Sequence, residues 1–463
     1  MSTPLRYPGR QYAPYPVGAA RPATVRTRRA ATGAGAATRV PSLFRALVGE
    51  RIRWTIVFFS FFAFAGGVIA NRLSIGQPIM LLGLVGVLMQ TERLRFGPVP
   101  TLLTVWTLWC ALGYFVSPYP SVVADALIGL TKLCVITFVG VNALRTRGQI
   151  RAYCVFLLFL FLLYPGRGTF LNWLTGANLE FGGRAIWNGV YSNPNDLAGI
   201  CILVLSVALV VAVGERDRRV KLAALGTAGF LAFIIFITQS RASLLALGVF
   251  VVVALRRMPK KQRLRAVLFT GVLGAVVVFF APSRVWDRLA GLRNVTNTEN
   301  LAQVDPEGSA EQRFEIWKVA RTIISEHPIT GIGVGAYGEE HGVVAMRQQF
   351  KRTAHGKRDT HSMYLNVMAE TGVPGFLIFA SLLLATVAYA NKVRRRVART
   401  APIDALQIQL LQLGLLAYCI AAIWGSYGKL NVLYLHLVLI WTFAKVVERE
   451  AAPAARPRVQ GVR

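Results

Sequence analysis

The sequence predicts an all-α integral membrane protein of about twelve transmembrane helices carrying a long helical extracytoplasmic loop. Three observations lead there. Of the 463 residues, 54% are hydrophobic and only 16% charged, and the mean hydropathy of +0.49 is that of a chain folded mainly in lipid. Apolar runs recur at the length a helix needs to cross a bilayer, beginning with residues 54–70. The third observation is where the charge lies. A net charge of +31 by itself would suit a polynucleotide partner, but the basic residues fall in every second loop: TERLR, RTRGQIR, GERDRRVK, RRMPKKQRLR and NKVRRRVART. That alternation is the positive-inside pattern, which accounts for the charge without a nucleic-acid partner.

The elements follow in order. Residues 1–53, rich in Arg, Pro, Ala and Gly and without an apolar signal-peptide core, read as a disordered basic cytoplasmic tail in contact with membrane lipids. Residues 54–281 hold about nine spans, with an outer loop at about 165–196. Residues 282–360 form a large periplasmic loop, 361–447 a short helix and the last three spans, and 448–463 a second cytoplasmic tail. Both termini are expected inside a multi-pass bacterial inner-membrane protein. The five cysteines fall inside predicted spans without a CxxC pair, so neither a metal site nor a disulfide framework is implied.

Polar residues gather on the outer side. Four of the five histidines, His327, His341, His355 and His361, lie in or beside the large loop. The glycines of GIGVGAY, residues 331–337, follow a helix and no strand, which marks a tight turn and not a dinucleotide site. In SAEQRFEIWKVARTIISEHP, Ser309 and Gln312 form a capping box for a helix starting at Ala310. Ile316, Trp317, Ala320, Ile323 and Ile324 make its apolar stripe, with Glu311, Glu315, Lys318, Thr322 and Ser325 opposite. Arg313 falls on the apolar side, where an arginine is either salt-bridged or snorkelling, or clamps an anion. Arg241, alone between two apolar runs at the outer boundary, poses the same choice. Arg184, in FGGRAIWNGVYSNPND, is a weaker case, and Asp125 with Lys132 reads as mutual neutralisation within one span.

The stretch RDTHSMYLNVMAETGVPG scans as a short helix with Asp359 or Thr360 as N-cap, His361 in the first turn, and Gly372 with Pro374 as the stop. A helix N-terminus disfavours imidazolium, so His361 is either a proton acceptor near neutral pH or merely a polar helix start.

His361, Ser362, nine residues, Gly372, two residues and Gly375 match the H-[NSQ]-x9-G-x-x-G signature of O-antigen ligases and related protein O-oligosaccharyltransferases. With SRASLLAL and QRFEIWKVARTIISEHPITGIGVGAY upstream, roughly residues 180–380 resemble the superfamily that also holds O-antigen and exopolysaccharide polymerases. The resemblance implies a GT-C-like membrane glycosyltransferase without metal or other cofactor. Its donor would be a polyprenyl-diphosphate-linked glycan and its acceptor a glycan or lipid A-core, with a flippase and chain-length or export proteins as partners. It also implies His361, Arg313 and Arg241 as catalytic residues, Arg184, Asn193 and Asn195 as substrate-binding, and Gly372 and Gly375 as structural. The NGVYSNPND segment looks more like polymerases than ligases. A transporter or flippase is the competing class, though no internal repeat is evident; a scaffold of an export complex would leave the arginines and histidine unexplained.

Overall fold

The computed structural model describes residues 55–70, 76–90, 92–177, 183–187, 193–257 and 309–451, with a few positions between 263 and 275. The basic tail, most of the expected span near residue 272, residues 276–308 and the end of the chain lie outside the described residues. The described residues all belong to one compact unit, Leu43–Arg463.

That unit is helical throughout its described residues. Its helices are α1 (Ile56–Ala70), α2 (Gly76–Met89), α3 (Pro98–Tyr114), α4 (Pro120–Ala143), α5 (Arg147–Phe161), α6 (Arg167–Leu174) and α7 (Pro194–Gly214). They continue as α8 (Arg218–Ile237), α9 (Arg241–Arg257), α10 (Ser309–Glu326), α11 (Tyr337–Arg347), α12 (Met363–Val397), α13 (Pro402–Ala421) and α14 (Asn431–Ala451). Among the described residues, 7 helices are long and apolar enough to cross a membrane: Pro120–Ala143, Arg147–Leu174, Pro194–Gly214, Arg218–Ile237, Met363–Val397, Pro402–Trp424 and Asn431–Ala451. Ile56–Gly67 and Gly76–Met89 are apolar but shorter.

Local sequence explains where these helices start. Proline occupies the first turn of α3, α4, α7 and α13, where its missing N–H costs nothing. Thr146 and Gln149 close a capping box on α5, and Asp217 accepts from the Arg219 and Val220 amides to start α8. Between α5 and α6 the helix does not stop at Pro165. A π turn, Leu162–Gly166, absorbs the proline and carries the helix on to Leu174, so the expected outer loop is helical over its first part. Asp125 is exposed and forms no ion pair with Lys132, unlike the sequence expectation.

Helices α7, α13 and α14 are buried on nearly every face and form the middle of the bundle. Close approach is bought with small residues: a Cβ on Gly140 would sit 2.6 Å from the Phe61 ring, and one on Gly414 2.4 Å from Ser206 Oγ. The five cysteines are free, each inside a helix.

Polar contacts sort the interhelical loops into two ends. At one, Arg145 pairs with Glu92, Arg147 with Asp404 and Glu450, Arg151 with Glu215, and Arg396 with Glu448. These basic loops are the ones that alternate in sequence. At the other end, Trp109 Nε1 donates to Thr371 O (2.9 Å), Ser117 Oγ to Ile332 O (2.5 Å) and Tyr119 Oη to Glu340 Oε2 (2.8 Å). Here α10, α11 and the segment between them dock over the bundle.

Candidate functional site

The docked segment is held by GIGVGAY. Gly331, Gly333 and Gly335 have φ of +65°, +100° and +88°, a run of left-handed backbone that only glycine takes without strain. It lets Ile332 N and Gly333 N donate to Ala369 O and Glu370 O at 3.1 and 3.0 Å, fastening the strap to the first part of α12. Gly372 breaks α12 there, with φ 70° and ψ 179°, and Val373 N donates to Pro328 O (2.8 Å). A Cβ on Gly372 would lie 2.0 Å from Ile329 O, and one on Gly375 2.4 Å from Thr371 Oγ1.

His361 lies ahead of this short helix and not in its first turn. The N-cap position is Ser362, and His361 itself has φ +50°. Left-handed backbone at a non-glycine residue costs about 1–3 kcal/mol and persists only where the surroundings over-determine it. Here they do. Thr360, fully buried, receives Trp317 Nε1 on its carbonyl at 2.9 Å. Its hydroxyl donates to Ser362 O (3.0 Å) and lies 2.9 Å from Ser426 Oγ, which itself donates to Asp359 Oδ1 (2.7 Å). The imidazole is half-buried and makes no hydrogen bond among the described residues. Burial pulls its pKa below the ordinary value; the Asp359 charge opposes this, and the Arg313 and Arg358 charges add to it. At neutral pH the ring is therefore an uncharged proton acceptor.

Arg313 is half-buried on α10, one turn before Ile316 and two before Ala320, both buried in the core. Its charge bears on His361 and on the Tyr427 hydroxyl. The face opposite was expected to be polar and exposed, but Glu315 is buried and ion-paired with Lys318 at 2.8 Å, because α11 and the 3-10 turn Arg352–Ala354 cover that side. Helix α10 begins at Ser309, one residue earlier than expected, and Gln312 turns its amide to Thr353 O (3.4 Å).

The remaining arginines meet around the start of α7. Arg184 donates through Nε to Thr238 O (3.0 Å) and through Nη2 to Asn195 Oδ1 (2.8 Å). Asn193 caps α7, its Oδ1 accepting from Asn195 N at 2.8 Å. Arg241 opens α9 two residues after Gln239, whose φ is +53°. Ser240 Oγ donates to Ser243 Oγ (3.1 Å), Ser243 bonds to Tyr427, and Tyr427 Oη donates to Asn195 O (2.6 Å). This chain of contacts ties the Arg241 and Arg184 segments to one buried tyrosine. His361, Arg313, Arg241 and Arg184 are thus all anchored at the same end of the bundle, joined through Ser426 and Tyr427.

Sequence reading overlooked that joining turn, residues 426–429 between α13 and α14. Its Lys429 Nζ donates to Glu370 Oε1 (2.8 Å), which also accepts from Asn366 Nδ2 (3.2 Å). The available signal was a single lysine in a short loop between the last two apolar runs, on the side opposite the basic loops. Elsewhere, Glu326, His327 and Glu340 bring one potential ligand atom each within 4.8 Å of the others. Glu326 is already bonded to Arg347 and Gln348, and Glu340 to Tyr119.

Fold and site together define a multi-span helical membrane protein with a histidine and several arginines at the end where a polar helical segment docks. Residues 226–380 match the family model described as O-antigen ligase. The match takes in Arg241, Arg313, His361, Gly372 and Gly375, and supports a membrane enzyme of the O-antigen ligase and polymerase kind. A search of curated proteins returns no match to the chain.

Proposed function

We propose that the protein transfers a polyprenyl-diphosphate-linked glycan onto a sugar hydroxyl at the outer face of the bacterial cytoplasmic membrane, as a polysaccharide polymerase joining repeat units. The observation that carries this reading is His361: a histidine kept uncharged by burial, held in left-handed backbone by its neighbours, beside the charge of Arg313. Its place at the end opposite the basic loops supports an outward-facing site, where flipped lipid-linked glycans are presented.

In this reading the acceptor oxygen attacks the anomeric carbon while the bond from that carbon to the diphosphate oxygen breaks. The departing diphosphate keeps the electron pair, and the hydroxyl proton passes to a His361 ring nitrogen. A single displacement inverts the anomeric centre. General-base assistance of this type contributes about 10²–10⁴-fold. Arg313 and Arg241, always charged and able to grip phosphate oxygens bidentately, stabilise the charge that develops on the leaving group. Asn193 and Asn195 act indirectly, by holding the start of α7 and the Arg184 guanidinium. Neither a metal nor a nucleotide is required. Gly372 and Gly375 serve to end and pack the short helix.

A second reading is favoured by the description of the matched family: ligation of a finished glycan to lipid A-core. Purified protein given a polyprenyl-diphosphate oligosaccharide decides among the readings. Elongated lipid-linked glycan is the expected product. Transfer to lipid A-core alone replaces polymerase with ligase, and lipid translocation in vesicles without transfer defeats both.

A further inference from the structure

The turn 426–429 divides its contacts between two electrostatically different regions. Tyr427 reaches Asn195, which holds Arg184, and its hydroxyl also feels Arg313. Lys429, two residues on, reaches Glu370, while Ser426 donates to Asp359. One region is therefore rich in guanidinium groups. The other holds one ammonium between two carboxylates.

Lys429 and Glu370 are unequal partners. The Glu370 side chain is 3% exposed and the Lys429 side chain 53% exposed. An ammonium has three donors, and among the described residues Glu370 is the only acceptor that Lys429 meets. The ammonium is thus held on one side by a buried carboxylate that Asn366 also holds, while the rest of the lysine side chain is exposed. The exposed Asp359 carboxylate, two residues before His361, adds acceptor oxygens on the same side of the turn. Taken together these groups carry no net positive charge. They suit a ligand that both donates and accepts hydrogen bonds without being an anion, which describes sugar hydroxyls.

We infer that Lys429, backed by Glu370 and flanked by Asp359, is a subsite for the hydroxyl groups of a glycan, distinct from the arginines that would hold diphosphate. Within the transfer proposed above, on which this inference rests, it receives the acceptor end of the sugar chain and delivers one hydroxyl towards His361. The subsite would thus choose which glycan is extended, while the arginines recognise the diphosphate common to every donor.

Two measurements test this. In the first, purified full-length protein is treated with an amine-acylating reagent and labelling of Lys429 is followed by mass spectrometry. Short oligosaccharides cut from the producing cell's own surface polysaccharide should slow labelling several-fold, and inorganic pyrophosphate should not. Protection by pyrophosphate alone, or by neither probe, overturns the subsite. This readout needs no turnover, so it stands even if the transfer reading fails.

The second uses Lys429→Met combined with Glu370→Gln, which avoids leaving a buried carboxylate unpaired, and Lys429→Arg beside it. The double variant should raise the acceptor KM by roughly tenfold or more, the equivalent of one lost hydrogen bond to a charged donor. The donor KM should stay within about twofold of wild type, well under the tenfold that such a bond represents, and Lys429→Arg should fall between. A rise confined to the donor KM would make Lys429 a phosphate contact and refute the inference.

Discussion

Substituting Gly372 by alanine tests how the docked segment shapes the site. The residue sits at φ 70°, which costs an L-residue about 1–2 kcal/mol. The added Cβ would come within 2.0 Å of Ile329 O and 2.9 Å of Pro328 O. Both are backbone atoms, so no side chain can rotate away and the strap itself must move. Movement threatens three bonds: Val373 N to Pro328 O, Ile332 N to Ala369 O and Gly333 N to Glu370 O. At about 1 kcal/mol each, added to the backbone cost, the total destabilisation is roughly 4–5 kcal/mol. Thermal unfolding in detergent should show it, together with faster proteolysis between α10 and α12 and a matching loss of transfer. Gly248→Ala, where nothing lies within 4 Å, is the control and should be neutral or stabilise by up to about 1 kcal/mol. Wild-type melting and transfer in Gly372→Ala would refute the assignment of this glycine as the hinge between strap and span.

The other predictions concern the chemistry and its setting. Because the His361 pKa is lowered, the ring stays neutral as pH falls past its ordinary value of about 6.5, and the acid limb of kcat/KM should lie below that value; a limb at or above it contradicts the role of base. Arg313→Gln removes a charge that depresses this pKa, so residual activity should lose its acid tolerance, whereas Asp359→Asn should shift the limb further down. Arg313→Lys keeps the charge but not the planar fork and should cost roughly 10²-fold in turnover, read by glycan transfer. Asn195→Ala should remove the Nη2 contact that orients Arg184 and weaken donor binding more than stability, visible as a raised donor KM at an unchanged melting temperature. Reporter fusions should place residue 340 outside and residue 260 inside; the reverse orientation would remove the site from the side where its substrate is expected.

Much of the helical framework could be read from local properties. Hydropathy placed helices where α4, α5, α7, α8, α12, α13 and α14 run, and prolines and polar caps marked several of their starts. The left-handed glycines of GIGVGAY were legible as a turn for the same reason, since each residue's conformational freedom is its own. Burial by distant chain was not legible. A helical wheel put Glu315 on an exposed face, and only the packing of α11 and the Arg352–Ala354 turn against α10 buries it. The helix start at His361 failed similarly: Thr360 and Ser362 bond to one another and Thr360 to Ser426, which displaces the cap to Ser362 and leaves the histidine left-handed.

Periodicity, charge alternation and motif spacing are near-neighbour properties, so they reveal a helical membrane chain and single out its candidate arginines and histidine. Which of those groups share a field, and that a turn between the last two helices joins them, depends on contacts between residues far apart in the chain. Ser426 meets Asp359, Tyr427 meets Asn195 and Lys429 meets Glu370. No local pattern encodes those pairings, because each exists only once the helices have packed.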